Sequence, residues 1–123
     1  MINSNKFIQQ QIAKIAQGFG IFDCIPCARA IKIFLIKQNI KGKQIIVETG
    51  SQDPIYGRIF DDSIRELIST TGHHQGIEIN LNGETIIFDN IHHQGIKKYD
   101  WLNNLYSPLL DEGKQFKITE ISF

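Results

Sequence analysis

The sequence predicts an α+β domain, with N-terminal helices packed on a small antiparallel sheet. Three observations point to it. The N-terminal third carries two stretches of apolar residues at helical spacing, and most of the remaining chain alternates apolar and polar residues as half-buried strands do. One pair of alternating runs is joined by Asn82-Gly83, a pair suited to a two-residue hairpin turn because both turn positions need positive φ. A chain of 123 residues with 41% hydrophobic content fits one domain over residues 1–123, a size that buries about two-thirds of the unfolded surface.

From Asn5 to Gln17, Ile8, Ile12, Ile15 and Ala16 recur at helical spacing, with Gly18 placed to end the helix. After "GFGIF", Asp23 is the expected cap of a second helix. Its Cys24, Cys27, Ala28, Ile31, Phe34 and Leu35 share a face, with Pro26 in the first turn and an end near Gln38. "KQIIVETG" reads as a buried strand and Gly50 to Tyr56 as a loop. "DDSIRELIST" reads as a short helix or turn, capped by Asp62 or Ser63, with Ile64, Leu67 and Ile68 on one face. The Asn82-Gly83 hairpin comes next. In "KYDWLNNLYSPLL" a helix carrying Trp101, Leu102, Leu105 and Tyr106 stops near Pro108, and "QFKITEISF" alternates as a closing strand.

Thirteen basic residues balance thirteen acidic ones, so no field of one sign exists to gather nucleic acid or an anionic membrane. The first residues, "MINSNKFIQQQ", lack the apolar core of a signal peptide, and no apolar run approaches the length of a membrane span. The expectation is a soluble domain without an export signal of its own, with neither nucleic acid nor membrane as partner. Two cysteines are too few for a disulfide framework, and their C-x-x-C spacing points to reactivity or metal binding.

Cys24 and Cys27 stand at the start of the second helix, where unpaired N–H groups and the helix dipole lower a thiol's pKa. Buried packing is the competing role, because free cysteine is among the most buried residue types. "GHHQGIEI" places His73 and His74 at the entrance of one hairpin strand, and "IIFDNI" places Asp89 and Asn90 at the end of the other. Hairpin register sets His74 near Ile91 and Gly76 opposite Asp89. A histidine beside a carboxylate or amide, with a helix-tip thiol packed against the same end of the sheet, is the arrangement of nucleophile, base and orienter.

Two other readings compete. "CIPC" has the form of a thioredoxin-type C-x-P-C redox motif, but that fold needs a buried strand directly before the first cysteine, and "GFGIF" follows a helix. Zinc held by the two cysteines and a histidine pair is disfavoured because His73-His74 and His92-His93 are adjacent pairs, not the H-x₃₋₅-H spacing that brings both rings to one ion. His92 and His93 read as a solvated or substrate-facing turn, Trp101 as a core anchor, and Lys97-Lys98 as a solvated face.

"FDCIPCARAI", "GHHQGIEI" and "IIFDNIHHQGIKKYDW", over roughly Phe22 to Leu105, together resemble the papain-fold toxin domains of bacterial polymorphic toxin systems. The N-terminal helix and last strand lie outside this resemblance. It implies a papain-like cysteine hydrolase fold and a Cys-His-Asp triad that needs no cofactor or metal. The implied activity is that of a protease or glutamine deamidase on a protein substrate in a target cell, reached by secretion or delivery within a larger toxin. A cognate immunity protein is the implied second partner. Residue by residue, the resemblance assigns the base to His74 and the orienting acid to Asp89, with Asn90 the rival because papain uses an asparagine at nearly this spacing. The C-x-x-C-W stretch of papain selects Cys27 as nucleophile, and the D-C helix opening of other papain-like hydrolases selects Cys24. Cys24 is favoured, since it sits at the dipole tip in a partly exposed position while Cys27 lies a turn deeper against Ile31.

Overall fold

The computed structural model describes residues 4–123. In chain order it holds α1 (Ser4–Ala16), α2 (Cys24–Lys37), β1 (Lys43–Glu48), β2 (Ile59–Asp61), β3 (Glu66–Ser69), β4 (His73–Leu81) and β5 (Glu84–Phe88). Then come β6 (Ile96–Lys97), α3 (Lys98–Asn104), β7 (Leu105–Tyr106), a 3₁₀ turn at Pro108–Glu112 and β8 (Lys117–Ser122). The main sheet is antiparallel in the order β6-β5-β4-β1-β8, and a second, three-stranded sheet has the order β3-β2-β7. The α+β class expected from the sequence is the class observed.

Two apolar layers sandwich the main sheet. On one face Ile8, Ile12 and Ala16 of α1 and Cys27, Ala28, Ile31 and Leu35 of α2 meet Ile77, Ile79 and Phe88. On the other, Ile45, Val47 and Ile87 meet Ile59 and Ile68 of the second sheet, Trp101 of α3 and Leu105. Each fully buried isoleucine or leucine contributes about 1.5–3 kcal/mol. That burial, at the alternating positions of β1 and β4, fixes which side chains each face receives.

The Asn82-Gly83 turn forms as expected, with φ of 53° and 84° and the Ile79–Ile86 and Ile77–Phe88 pairs in the predicted register. The ladder stops at Ile77–Phe88, so the expected pairing of Gly76 with Asp89 and of His74 near Ile91 is not made. Beyond Phe88 the Asp89 carboxylate accepts the N–H groups of Ile91 and His92, and the chain turns where a longer hairpin would have continued.

Other expectations change as well. "DDSIRELIST" is a turn followed by β3, because Asp61 accepts both the Ser63 amide and hydroxyl, Arg65 adopts φ 55°, and Leu67 pairs with Phe60. The helix after Lys97 ends at Asn104, and Leu105–Tyr106 pair with Asp61 and Phe60 to complete the second sheet. Asp23 precedes α2 without a side-chain cap and instead accepts the Gly20 amide at 3.0 Å. Lys98 is no solvated lysine: it lies half-buried between Glu78, at 2.6 Å, and Glu120, at 3.0 Å. No helix among the described residues is long and apolar enough to cross a membrane.

Candidate active site

His74 is the second residue of β4, opposite Val47 of β1, and it is completely buried. It stands beyond the last β4–β5 pair, where the strands part and a polar side chain can be met from outside the ladder. Its Nε2 donates to Asp89 Oδ2 at 2.9 Å. The same oxygen accepts the Trp101 Nε1–H at 2.7 Å, and Asp89 Oδ1 takes the Ile91 and His92 amides at 2.9 and 2.6 Å. Four donors thus satisfy one buried carboxylate, which is what makes a buried charge tolerable.

Trp101 also packs against the imidazole, with ring centroids 5.7 Å apart. Gly76 makes room for it. A Cβ there would lie 2.8 Å from Ile87 Cγ2 and 3.2 Å from Trp101 Cζ2, so any side chain would force Ile87 to shift and crowd the indole. The core role expected of Trp101 holds, since it is fully buried, but its bond to Asp89 was missed. A buried indole N–H needs an acceptor, and the nearby F-D-N carboxylate was the available signal.

The remaining ring nitrogen, His74 Nδ1, is buried without a hydrogen bond of good geometry. After Asp89, the Cys24 thiol is the next group to favour the charged ring. The thiol is therefore close enough to the imidazole to act on its charge, without a hydrogen bond to Nδ1. Burial opposes charge on His74, but the bond to Asp89, the thiol and their two charges outweigh it and raise the pKa to about 9. Burial likewise pushes Asp89 up, yet His74, Trp101 and the His92 amide hold it at about 2. The pair is favoured as imidazolium and carboxylate.

Cys24 opens α2, whose first N–H groups lack intrahelical carbonyls. It is 6% exposed, less than the sequence suggested, and Cys27 is 0% exposed. The difference is nonetheless real, because Cys24 borders a surface cleft of about 210 Å³ that Cys27 does not touch. Phe22, Ile25 and Ile68 give that cleft apolar walls, and Ser69, Thr70 and Thr71 line it as well. Burial, then the charges of Asp89, Cys24 and Asp23, push the Cys27 thiol up to about 12. It stays neutral and packs in the core.

Asn90 does not touch the histidine. Its Nδ2 donates to the carbonyls of Gly20 and Ile21 at 2.8 and 2.6 Å, tying the loop before α2 to the loop that carries Asp89. His73 does not bond the His74–Asp89 pair; it lines the Cys24 cleft, accepting from Gln75 at 2.8 Å with Glu48 at 3.8 Å. His93 bonds the Asn90 carbonyl. Of the solvated or substrate-facing turn expected, His92 is not solvated: its side chain is 14% exposed and bonds Asp61 at 2.9 Å. The segment before Cys24 is turn, not the strand a thioredoxin-type site requires. Among the described residues no three His, Cys, Asp or Glu side chains gather as metal ligands would.

An imidazolium held by a buried carboxylate, next to a helix-tip thiol on an open cleft, can stabilise a thiolate and pass a proton to a leaving group. No curated protein and no solved structure matches the chain. A family model does: that of papain fold toxin 2 matches residues 7–106, which takes in nearly all of α1, outside the resemblance seen in the sequence, and leaves β8 beyond its end. With that match the papain-like fold expected from the motifs stands as the fold of the domain. The chain belongs to the papain fold toxin 2 family.

Proposed function

We propose that the chain is the effector domain of a delivered toxin, a cysteine-dependent amide hydrolase with Cys24 as nucleophile, His74 as acid and base, and Asp89 as orienter. One observation carries the reading: a fully buried His74–Asp89 pair at 2.9 Å that leaves Nδ1 unbonded, with a helix-tip thiol that acts on the same ring and lines a surface cleft. Asp89 fixes the ring through Nε2, which leaves Nδ1 for proton exchange with the reacting atoms.

In the first half-reaction the Cys24 thiolate forms a C–S bond to the amide carbonyl carbon. The carbonyl oxygen takes up negative charge beside the N–H groups of the first turn of α2. Collapse breaks the C–N bond, and the proton on His74 Nδ1 goes to the departing nitrogen. In the second, water attacks the thioester, gives its proton to His74, and the C–S bond breaks to return thiolate and release a carboxylic acid.

A backbone amide gives proteolysis and a glutamine side chain gives deamidation by the same steps. The cleft suits neutral groups, since His73 is the one titratable side chain lining it besides Cys24. The reading brings with it a protein substrate in the target cell and an immunity protein for the producing one. Incubating target-cell proteins with wild type and Cys24→Ala and comparing mass spectra tests it. New termini mean protease, a gain of about one dalton on glutamine means deamidase, and identical spectra for the two proteins reject the reading.

A further inference from the structure

We propose that His92 and Asp61 act as a positioning clamp that aims Asp89 at His74, so that the second sheet helps to set the geometry of the reactive cluster. The clamp rests on the triad reading and adds two residues to it, neither of which touches the reacting atoms.

Asp61 ends β2 and is 0% exposed. A buried carboxylate is costly unless its oxygens are filled, and here they are: Ser63 donates its amide and hydroxyl to Oδ1, and the His92 ring donates Nε2–H to Oδ2 at 2.9 Å. His92 spans 31 positions to reach it. The other end of the same residue faces the candidate site, since the His92 amide makes the shorter of the two bonds to Asp89 Oδ1. Ring and amide of one residue therefore join two buried carboxylates, one in the second sheet and one beside His74.

The placement has a physical consequence. Asp89 follows the last residue of β5, past the end of the ladder, so strand pairing does not orient it. Besides His74 and Trp101 on Oδ2, what holds its carboxylate is the turn it caps through Oδ1, and the His92 ring ties that turn to the second sheet through Asp61. Three titratable groups act on His92: after burial, which opposes its charge, Asp61 and Asp89 favour the charged ring and His74 opposes it. Removing the ring leaves Asp61 Oδ2 unpaired and loosens the turn, and small misplacements of a catalytic group cost up to about a hundredfold in rate.

Two readouts test the clamp without a known substrate. One is the rate of Cys24 alkylation by iodoacetamide across pH. The other is the indole N–H resonance of Trp101, the chain's single tryptophan, which is bonded to Asp89 Oδ2 and so reports where that carboxylate points. His92→Phe, which keeps a ring and loses the donor, is expected to slow alkylation by about tenfold to a hundredfold, to move the pH midpoint of the rate, and to shift the indole signal. His92→Gln, which can still donate to Asp61, is expected to recover most of both. A folded His92→Phe protein with wild-type rate, midpoint and indole signal overturns the clamp. If His92→Phe does not fold, Asp61→Asn weakens the same bond with little change of shape, and unchanged values there overturn it equally. Failure of the triad reading looks different: wild-type Cys24 then alkylates no faster than an ordinary thiol, while the indole signal still reports on the clamp.

Discussion

Cys24 and Cys27 share one helix and one buried face, yet the fold gives them different surroundings. Cys24 acts on the charge of the His74 ring and lines a cleft. Cys27 lies in the layer formed by Ile12, Ile31 and Ile77, with Asp89, Cys24 and Asp23 all opposing its ionisation. Helix position, not residue type, separates them: three residues further along, a thiol leaves the field of orphan N–H groups for an apolar interior that raises its pKa. The two thiols of this C-x-x-C motif therefore do not share one environment.

The largest expected effect is biological. Expression of the wild-type domain in a susceptible cell should arrest growth. Cys24→Ala should abolish the arrest, with a loss of activity of at least about a thousandfold because the covalent step disappears, and Cys27→Ala should keep it. Growth curves at matched expression decide it. Arrest by Cys24→Ala would break the contrast.

Labelling sharpens it. Iodoacetamide near pH 6 should modify Cys24 at least about tenfold faster than Cys27, since only a thiolate reacts. His74→Ala should remove most of that lead, and Cys27 should label only on unfolding. Peptide mass mapping reads both sites at once.

The pH dependence of stability separates the two residues' surroundings. His74 has its pKa raised from 6.5 to about 9, so its contribution is complete below pH 6.5 and is lost as pH rises through about 9. For Cys27, raised from 9.0 to about 12, the corresponding loss falls between pH 9 and 12. Asp89, lowered from 3.8 to about 2, contributes above pH 3.8 and its share is lost as pH falls toward 2. Thermal midpoints should therefore decline in two alkaline steps, of which Cys27→Ala removes the second and Asp89→Asn flattens the first. The smallest effect is structural: Cys27→Ala should cost about 1 kcal/mol in denaturant titrations through lost buried surface, and Cys24→Ala less.

Four strands of the main sheet and both long helices were legible because their signals are local, whereas β6, two residues long, was not. Periodicity marks α1 and α2, and Asn82-Gly83 sets the register that brings His74 and Asp89 to one end of the sheet. The second sheet was not legible, since its strands are two to four residues long and Ile64, Leu67 and Ile68 imitate a helical face. What hid the surroundings of the candidate site was distance along the chain. Asp61 meets His92, and Asn90 meets Gly20, through side chains whose pairing no short-range pattern encodes. Trp101 lay between, with an expected core role and an unexpected bond.

The Asn90 amide joins segments 70 residues apart, and its consequence is best put in the language of cooperative opening. The loop ahead of the thiol and the loop bearing the acid share one fastener, so neither can fray alone without breaking it. Amides around Cys24 and around Ile91 should exchange with solvent at matching free energies, and Asn90→Ala should uncouple them. Local unfolding of the native protein should then release the Cys24 and Asp89 loops in a single event rather than one after the other.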